Sequence, residues 1–431
     1  MSGTGARKWT ADTRPLSNDH FRRLWLANIV TVIGAQLTVV VVPAQIYEIT
    51  GSSAYVGLTG LFGLVPLVVF GLWGGALADH FDRRTLLVVT TLGLIGTSAA
   101  LFVQAAVGAD NVWLLLGIFS VQQAFFAVNQ PTRSALLPRI LPDSLLPAAN
   151  SLNMTVMQAG AIAGPLVGGM LIPVLGYSWL YLLDTLTLFV TLGAVVRLPA
   201  LPVLGAPGRT PGVRSVIEGF AYLRTQPILM MSFVVDIIAM LFGMPRALFP
   251  QIAHETFAGP SEGGLVFALL YAGIPLGAVL GGVFSGWVSR VTRQGRAVVV
   301  AILVWGVAMI GFGAAVAGAD VVDRGQRFWL VLAIGMLVIG GAADMASAAF
   351  RTTMLQTAAS DEVRGRLQGI FIVVVAGGPR IADVAHGAAA ASVGTALAAA
   401  GGGALVVVLT VAVCVAVPVF WRYRARTAVD A

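Results

Sequence analysis

Long stretches almost free of charge alternate along this chain with short connections where its charges gather. The apolar stretches run near 24–47, 54–78, 86–107, 112–131, 150–172, 177–196, 228–250, 263–287, 297–317, 328–349, 367–395 and 400–421. A hydrocarbon core about 30 Å thick takes roughly 20 apolar residues of helix to cross. Runs of this length without strict alternation are helices and not barrel strands, so the pattern predicts twelve transmembrane helices. The polar, basic segment before the first stretch leads into a full-length span, which is expected to be retained and not cleaved as a signal sequence.

Composition agrees with that reading. Of 431 residues, 58% are hydrophobic and 10% charged, with a mean hydropathy of +0.89. So little charge cannot solvate a surface of this size, and the lipid bilayer is the expected solvent. The net charge of +7 does not point to nucleic acid, because the basic residues are dispersed. Arg7, Lys8, Arg14, Arg22 and Arg23 precede the first span; Arg422, Arg424 and Arg426 follow the last. Most others, including Arg133 and Arg351, fall in or beside connections on the same side, and only Arg246, Arg324 and Arg327 lie opposite. Cytoplasmic loops carry such an excess, which predicts a cell (inner) membrane protein with both termini in the cytoplasm.

Several chemistries are excluded. Lys8 is the only lysine, so no phosphate-binding Walker loop is available and ATP is not expected as a partner. His20, His80, His254 and His386 show no paired ligand spacing, so neither a metal nor any other cofactor is expected, nor an enzyme. The single cysteine, Cys414, precludes an intramolecular disulfide.

The longest polar connection, 197–227, divides the chain into six spans (24–196) and six (228–421), flanked by tails at 1–23 and 422–431. A short amphipathic helix is expected near 212–225. The two groups echo each other. "GLTGLFGLVPLVVFGLWGGALAD" from Gly57 aligns without gaps to "GLVFALLYAGIPLGAVLGGVFSG" from Gly264, and a second echo places Arg133 over Arg351. Six-plus-six repeats suit alternating access, with a midplane site between two bundles that rock.

The connection "GGALADHFDRR", between spans two and three, holds Gly75, Asp79, Arg83 and Arg84 and follows G-x-x-x-D-[RK]-x-G-x-[RK]-[RK], with Gly75, Asp79 and Arg84 in register and Arg83 one place early. This loop resembles that of the major facilitator superfamily, with His80 in place of a usual basic residue and Asp82 in place of a usual glycine. A carboxylate at a helix end can face another helix N-terminus and pair with arginines, favouring one packing of the halves. In span five, "GAIAGPLVGGML" sets Gly160, Gly164 and Gly168 on one face, with Pro165 and Gly169 beside them. The string is similar to the G-x-x-x-G-P-x-x-G-G pattern of exporters in that superfamily. "VVPAQIYEITGSSAYVGL", "LLYAGIPLGAVLGGVFSG" and "RTTMLQTAASDEVRGRLQGI" resemble segments of the enterobactin exporter family. That resemblance implies the major facilitator fold and secondary active export of a siderophore-like or drug-like small molecule, by alternating access and proton antiport. A general multidrug or macrolide efflux carrier is the alternative, ahead of an importer or channel of the same topology. Many drug–proton antiporters carry an arginine within span four; here that span offers Gln122 and Gln123 instead.

Charges inside spans cost roughly 2.5–3.5 kcal/mol each at the centre, which predicts partners or a polar cavity for each one. Asp184 in span six is expected to be structural. Asp236, Asp344 and Asp383 are the candidates for proton coupling. Arg380 and Asp383 are three residues apart and can meet on one helix face. Either they neutralise each other, or Arg380 receives an anionic substrate group while Asp383 holds it. Gln36, Gln122, Gln123, Phe125 and Phe126 complete the candidate substrate-binding set, with Gln45 and Asn129 as further polar positions. His386, one turn beyond Asp383, is a candidate to join the proton relay.

Overall fold

The computed structural model describes residues 12–199, 221–321, 325–358 and 361–424, with side chains for all of these but 72–80, 135, 143, 289, 356–358 and 361–376. The described chain is helical, and no strand occurs in it. Its helices are α1 (Asp19–Thr50), α2 (Ser53–His80), α3 (Arg83–Ala106), α4 (Val112–Ile140), α5 (Leu146–Val196), α6 (Pro227–Phe242), α7 (Leu265–Val283), α8 (Gln294–Val321), α9 (Gln326–Ala358), α10 (Asp361–Val393) and α11 (Thr395–Ala416). The expected surface helix near 212–225 lies outside the described residues but for its last turn.

Short polar residues in the connections set the helix starts. The Asn18 carboxamide accepts from Phe21 N at 3.0 Å, and Asn111 accepts from Trp113 N and Leu114 N at 3.0 and 3.1 Å. Each satisfies amides that have no partner within the helix. Gly51 closes α1 with φ 58°, a left-handed cap that costs glycine nothing.

Ten helices among the described residues are long and apolar enough to cross a bilayer. One of them, α5, has 51 residues and would extend about 77 Å if straight, more than twice the hydrocarbon thickness. It reverses at Gly176 (φ 75°, ψ 169°). Its first limb runs parallel to α1, Gly160 facing Val32, Gly164 facing Gln36 and Gly168 facing Leu37. The second limb runs antiparallel, with Asp184 beside Thr38 and Thr191 beside Thr31. The two limbs are the expected fifth and sixth spans. Each of the twelve apolar stretches therefore lies largely within a helix or a limb.

Packing follows the same plan before and after the 197–227 connection. Helix α2 packs on α4 as α7 packs on α9, and α3 packs on α4 as α8 packs on α9. Two seams join the early helices to the late ones, α2 with α10 and the first limb of α5 with α7. Trp305, Phe312, Phe249 and Phe267 fill the core of the later group; Leu37, Ile46, Leu101 and Tyr181 fill the earlier one. Outward faces carry Leu92, Leu186, Phe189, Val307 and Val408 in the open, an apolar perimeter suited to lipid.

Candidate functional site

The α2–α10 seam is built on glycine. Added methyls at Gly57 and Gly60 would run into the backbone carbonyls of Asp383 and Arg380, and one at Gly63 into the Arg380 guanidinium. From the other side, a methyl on Gly387 would lie 2.5 Å from the Ser53 carbonyl oxygen and 3.1 Å from Gly57 Cα. The two helices can approach this closely only because α2 presents no side chain there. The same approach carries Arg380 to the boundary between the two groups of helices.

At that boundary Arg380 and Asp383 do not pair with each other, contrary to the expectation from their spacing. Arg246, just beyond α6, donates through Nη2 to Asp383 Oδ2 at 3.1 Å. Arg380 instead crosses the seam and donates through Nη2 to Gln123 Oε1 of α4 at 2.7 Å. Spacing within one helix ranks only local partners, whereas tertiary packing supplies a closer cation for Asp383. Asp383 Oδ1 and Arg246 Nε are buried without a hydrogen-bond partner.

A second cluster lies between α6 and α9. Arg351 sits against Asp236, and its Nη2 lies 3.8 Å from Asp344 Oδ1. The Arg351 and Asp236 side chains are 5% and 1% exposed, that of Asp344 26%. Arg351 is the residue that the sequence reading misplaced. It lies beyond the apolar stretch 328–349 and reads as a loop charge, yet α9 continues to Ala358 and buries it. Two signals could have found it: Asp344 and Arg351 are seven apart, two helical turns on one face, and the internal echo sets Arg351 over Arg133. The echo holds in three dimensions, since Arg133 of α4 reaches back to the Leu24 carbonyl of α1 at 3.5 Å as Arg351 of α9 reaches α6.

The other candidates divide. Asp184 is bonded within the early group: Thr38 and Ser98 hydroxyls donate to its Oδ2 at 3.0 and 2.8 Å. Gln45 accepts from Tyr181 and donates to Gln104, and Asn129 donates to Thr90, so both serve packing within the early group. Gln36 lays its stem against Gly160 and Gly164, and Phe125 covers Gly93 of α3. Gln122 is buried and Phe126 half-buried, neither beside Arg380 in any described contact. His386 is turned to the Ala382 carbonyl and to Gly402 of α11, away from the Arg380 boundary.

The two motifs are also resolved into parts. Gly160, Gly164 and Gly168 let α5 settle on α1, whereas Gly169 belongs to the second seam. There its carbonyl accepts from Gly264 N at 2.8 Å, and a methyl on it would lie 2.7 Å from Ala268 Cβ. In the connection between α2 and α3, Asp82 caps α3 by accepting from Thr85 N at 2.9 Å, and Arg84 donates to the Val196 carbonyl at 2.6 Å. Gly75 and Asp79 lie in the last turns of α2, where side chains are outside the description. At the end of the bundle opposite the termini, Tyr47 donates to Glu255 at 2.7 Å and Ser53 to Gln251 at 2.7 Å. Gln251 in turn holds Glu255 at 2.8 Å.

Two pseudo-repeated helix groups, joined by bare seams and holding buried charges at their boundary, define a membrane transporter of the major facilitator fold. Within it, the chain belongs to the transmembrane secretion effectors, whose family model matches residues 10–427. It is 28% identical over 359 residues to the enterobactin exporter EntS of Shigella boydii, covering 81% of this chain and 80% of that one. With EntS of Escherichia coli the identity is 27% over the same coverage. Among solved structures it resembles a mutant of the nucleoside transporter NupG, with TM-score 0.70, 13% identity, and coverage of 91% of this chain and 99% of that one. It also resembles a bacterial homologue of the human lysosomal transporter Spinster in an inward-facing, unoccupied conformation (TM-score 0.66, 17% identity, 95% and 97% coverage). Such distant likenesses speak to the fold alone.

Proposed function

We propose that this protein exports an amphipathic small molecule, siderophore-like or drug-like, from the cytoplasm by alternating access in exchange for protons. The observation that carries the reading is the bond from Arg380 to Gln123, which puts a half-buried cation at the boundary between the two helix groups. That is where a rocking-bundle carrier holds its cargo. Export is supported by the Gly160–Gly169 pattern and by likeness to enterobactin exporters. With the termini in the cytoplasm, the Tyr47–Glu255 and Ser53–Gln251 contacts close the outer side, and the Asp79 loop serves as the gate at the inner side.

Proton exchange is assigned to the Asp236–Arg351–Asp344 cluster. Two carboxylates share one guanidinium, leaving one negative charge in the membrane that a proton would neutralise. Asp344, the more exposed and the more distant from Arg351, is the acid that loads; Asp236 holds the arginine. A multidrug reading draws on the same half-open Asp344, which could receive a cationic compound. Uptake of radiolabelled enterobactin into everted vesicles tests the proposal. It should collapse when a protonophore dissipates the gradient; uptake that persists and follows added ATP contradicts it.

A further inference from the structure

We infer that Arg380 docks an acidic group of the cargo, a carboxylate or an ionised phenol, and that this group does so by displacing Gln123. The inference rests on the exporter reading above and names the class of cargo for that site.

Charge is the first ground. Among the described residues, Arg246 and Arg380 have one carboxylate between them, Asp383, and that carboxylate is committed to Arg246. The cluster therefore carries one net positive charge at a depth where an unneutralised guanidinium is costly. The second ground is the quality of the bond that Arg380 does make. Its described side-chain partner is a neutral amide oxygen. A charge-assisted bond between guanidinium and an anionic oxygen is roughly twice as strong as one between neutral groups. An acidic ligand group therefore outcompetes Gln123 wherever it can reach.

Placement is the third ground. The guanidinium occupies the gap that Gly63 leaves on α2, and the Phe119 ring edge lies 3.4 Å from where a methyl on Gly63 would be. An aromatic body carrying an acid has both a cation and a ring to meet there. A coupling follows from the topology. Gln123 belongs to α4 and Arg380 to α10, so the bond displaced is one that ties the two helix groups. Cargo that binds the tied and untied arrangements with different affinity shifts the balance between them.

The test uses the purified full-length protein with two fluorescent probes of nearly the same shape, anionic pyrenebutyrate and neutral pyrenebutyramide. The wild type should bind the acid at least about tenfold tighter than the amide. Arg380→Gln should abolish that preference by weakening acid binding more than amide binding. Gln123→Leu, which removes the competitor and keeps the arginine, should tighten acid binding severalfold and more than it tightens amide binding. Equal affinities in the wild type, a preference that survives Arg380→Gln, or acid binding indifferent to Gln123→Leu would each overturn the inference. Transport separates this from the exporter reading. Charge preference without gradient-driven uptake of enterobactin removes the exporter and keeps the anion site; uptake without charge preference does the reverse.

Discussion

Replacing Arg351 by methionine tests how the buried charges are held. The Asp236 side chain is 1% exposed and Arg351 is its ion-pair partner, so Arg351→Met leaves a carboxylate sealed away from water without a counter-ion. Removing one partner of a buried pair costs about 3–5 kcal/mol, chiefly because the other is stranded. Asp344 adds little to that figure, since its contact is 3.8 Å and its side chain is a quarter exposed. Replacing both partners with apolar residues of similar size is a different perturbation, commonly neutral or stabilising by about 1–4 kcal/mol. Arg351→Met combined with Asp236→Leu should therefore return to wild-type stability or exceed it, a coupling of about 3 kcal/mol or more. Unfolding in mixed detergent micelles, followed through the nine tryptophans, measures all four proteins. An Arg351→Met single variant within about 0.5 kcal/mol of wild type, or a double variant no more stable than the single, refutes the reasoning.

Three further outcomes are expected. Asp344→Asn leaves the Arg351–Asp236 pair intact, so stability should change by less than about 1 kcal/mol while gradient-driven uptake is lost; retained uptake removes Asp344 as the loading acid. Gly164→Val drives a side chain into the Cβ of Gln36 and should cost about 1–3 kcal/mol by overpacking, read as a lowered unfolding midpoint; an unchanged midpoint means that α5 does not depend on a bare face there. Tyr47→Phe deletes the bond to Glu255 and should raise labelling of a Ser53→Cys variant by a membrane-impermeant maleimide severalfold; unchanged labelling means that the contact does not hold the outer side closed.

The helical plan was legible because its cause is local and repeated. A stretch of the right length either tolerates hydrocarbon or does not, and the twelve stretches, including the break near Gly176, can be counted from hydropathy. Partner choice among the charges was not legible in the same way. Arg380 and Asp383 read as a pair because helix spacing is the one geometry a sequence displays, and the competitor for Asp383, Arg246, is 137 residues away. Arg351 was hidden by a different effect. Hydropathy ends a span where polar residues begin, but a helix packed in protein can run on and bury a charge beyond that point. The glycines were found on one face, yet nothing in their spacing told that Gly168 packs on α1 and Gly169 on α7.

The bare face of α2 has a mechanical consequence. Helices whose side chains interlock resist tilting, because every knob must leave its hole before the axes can move. At Gly57, Gly60 and Gly63 there are no knobs on α2, and at the first two α10 bears on it backbone to backbone. Such a surface works as a bearing, letting two rods roll through small angles while staying in touch. It also makes the clearance unforgiving, since one methyl at Gly60 meets a carbonyl oxygen that the rigid helix cannot move aside. Larger residues on the lipid-facing perimeter can be absorbed by fluid chains, whereas here a change of one carbon acts as a brake. A small molecule able to wedge into that clearance would arrest the carrier without touching the charges that define its cargo.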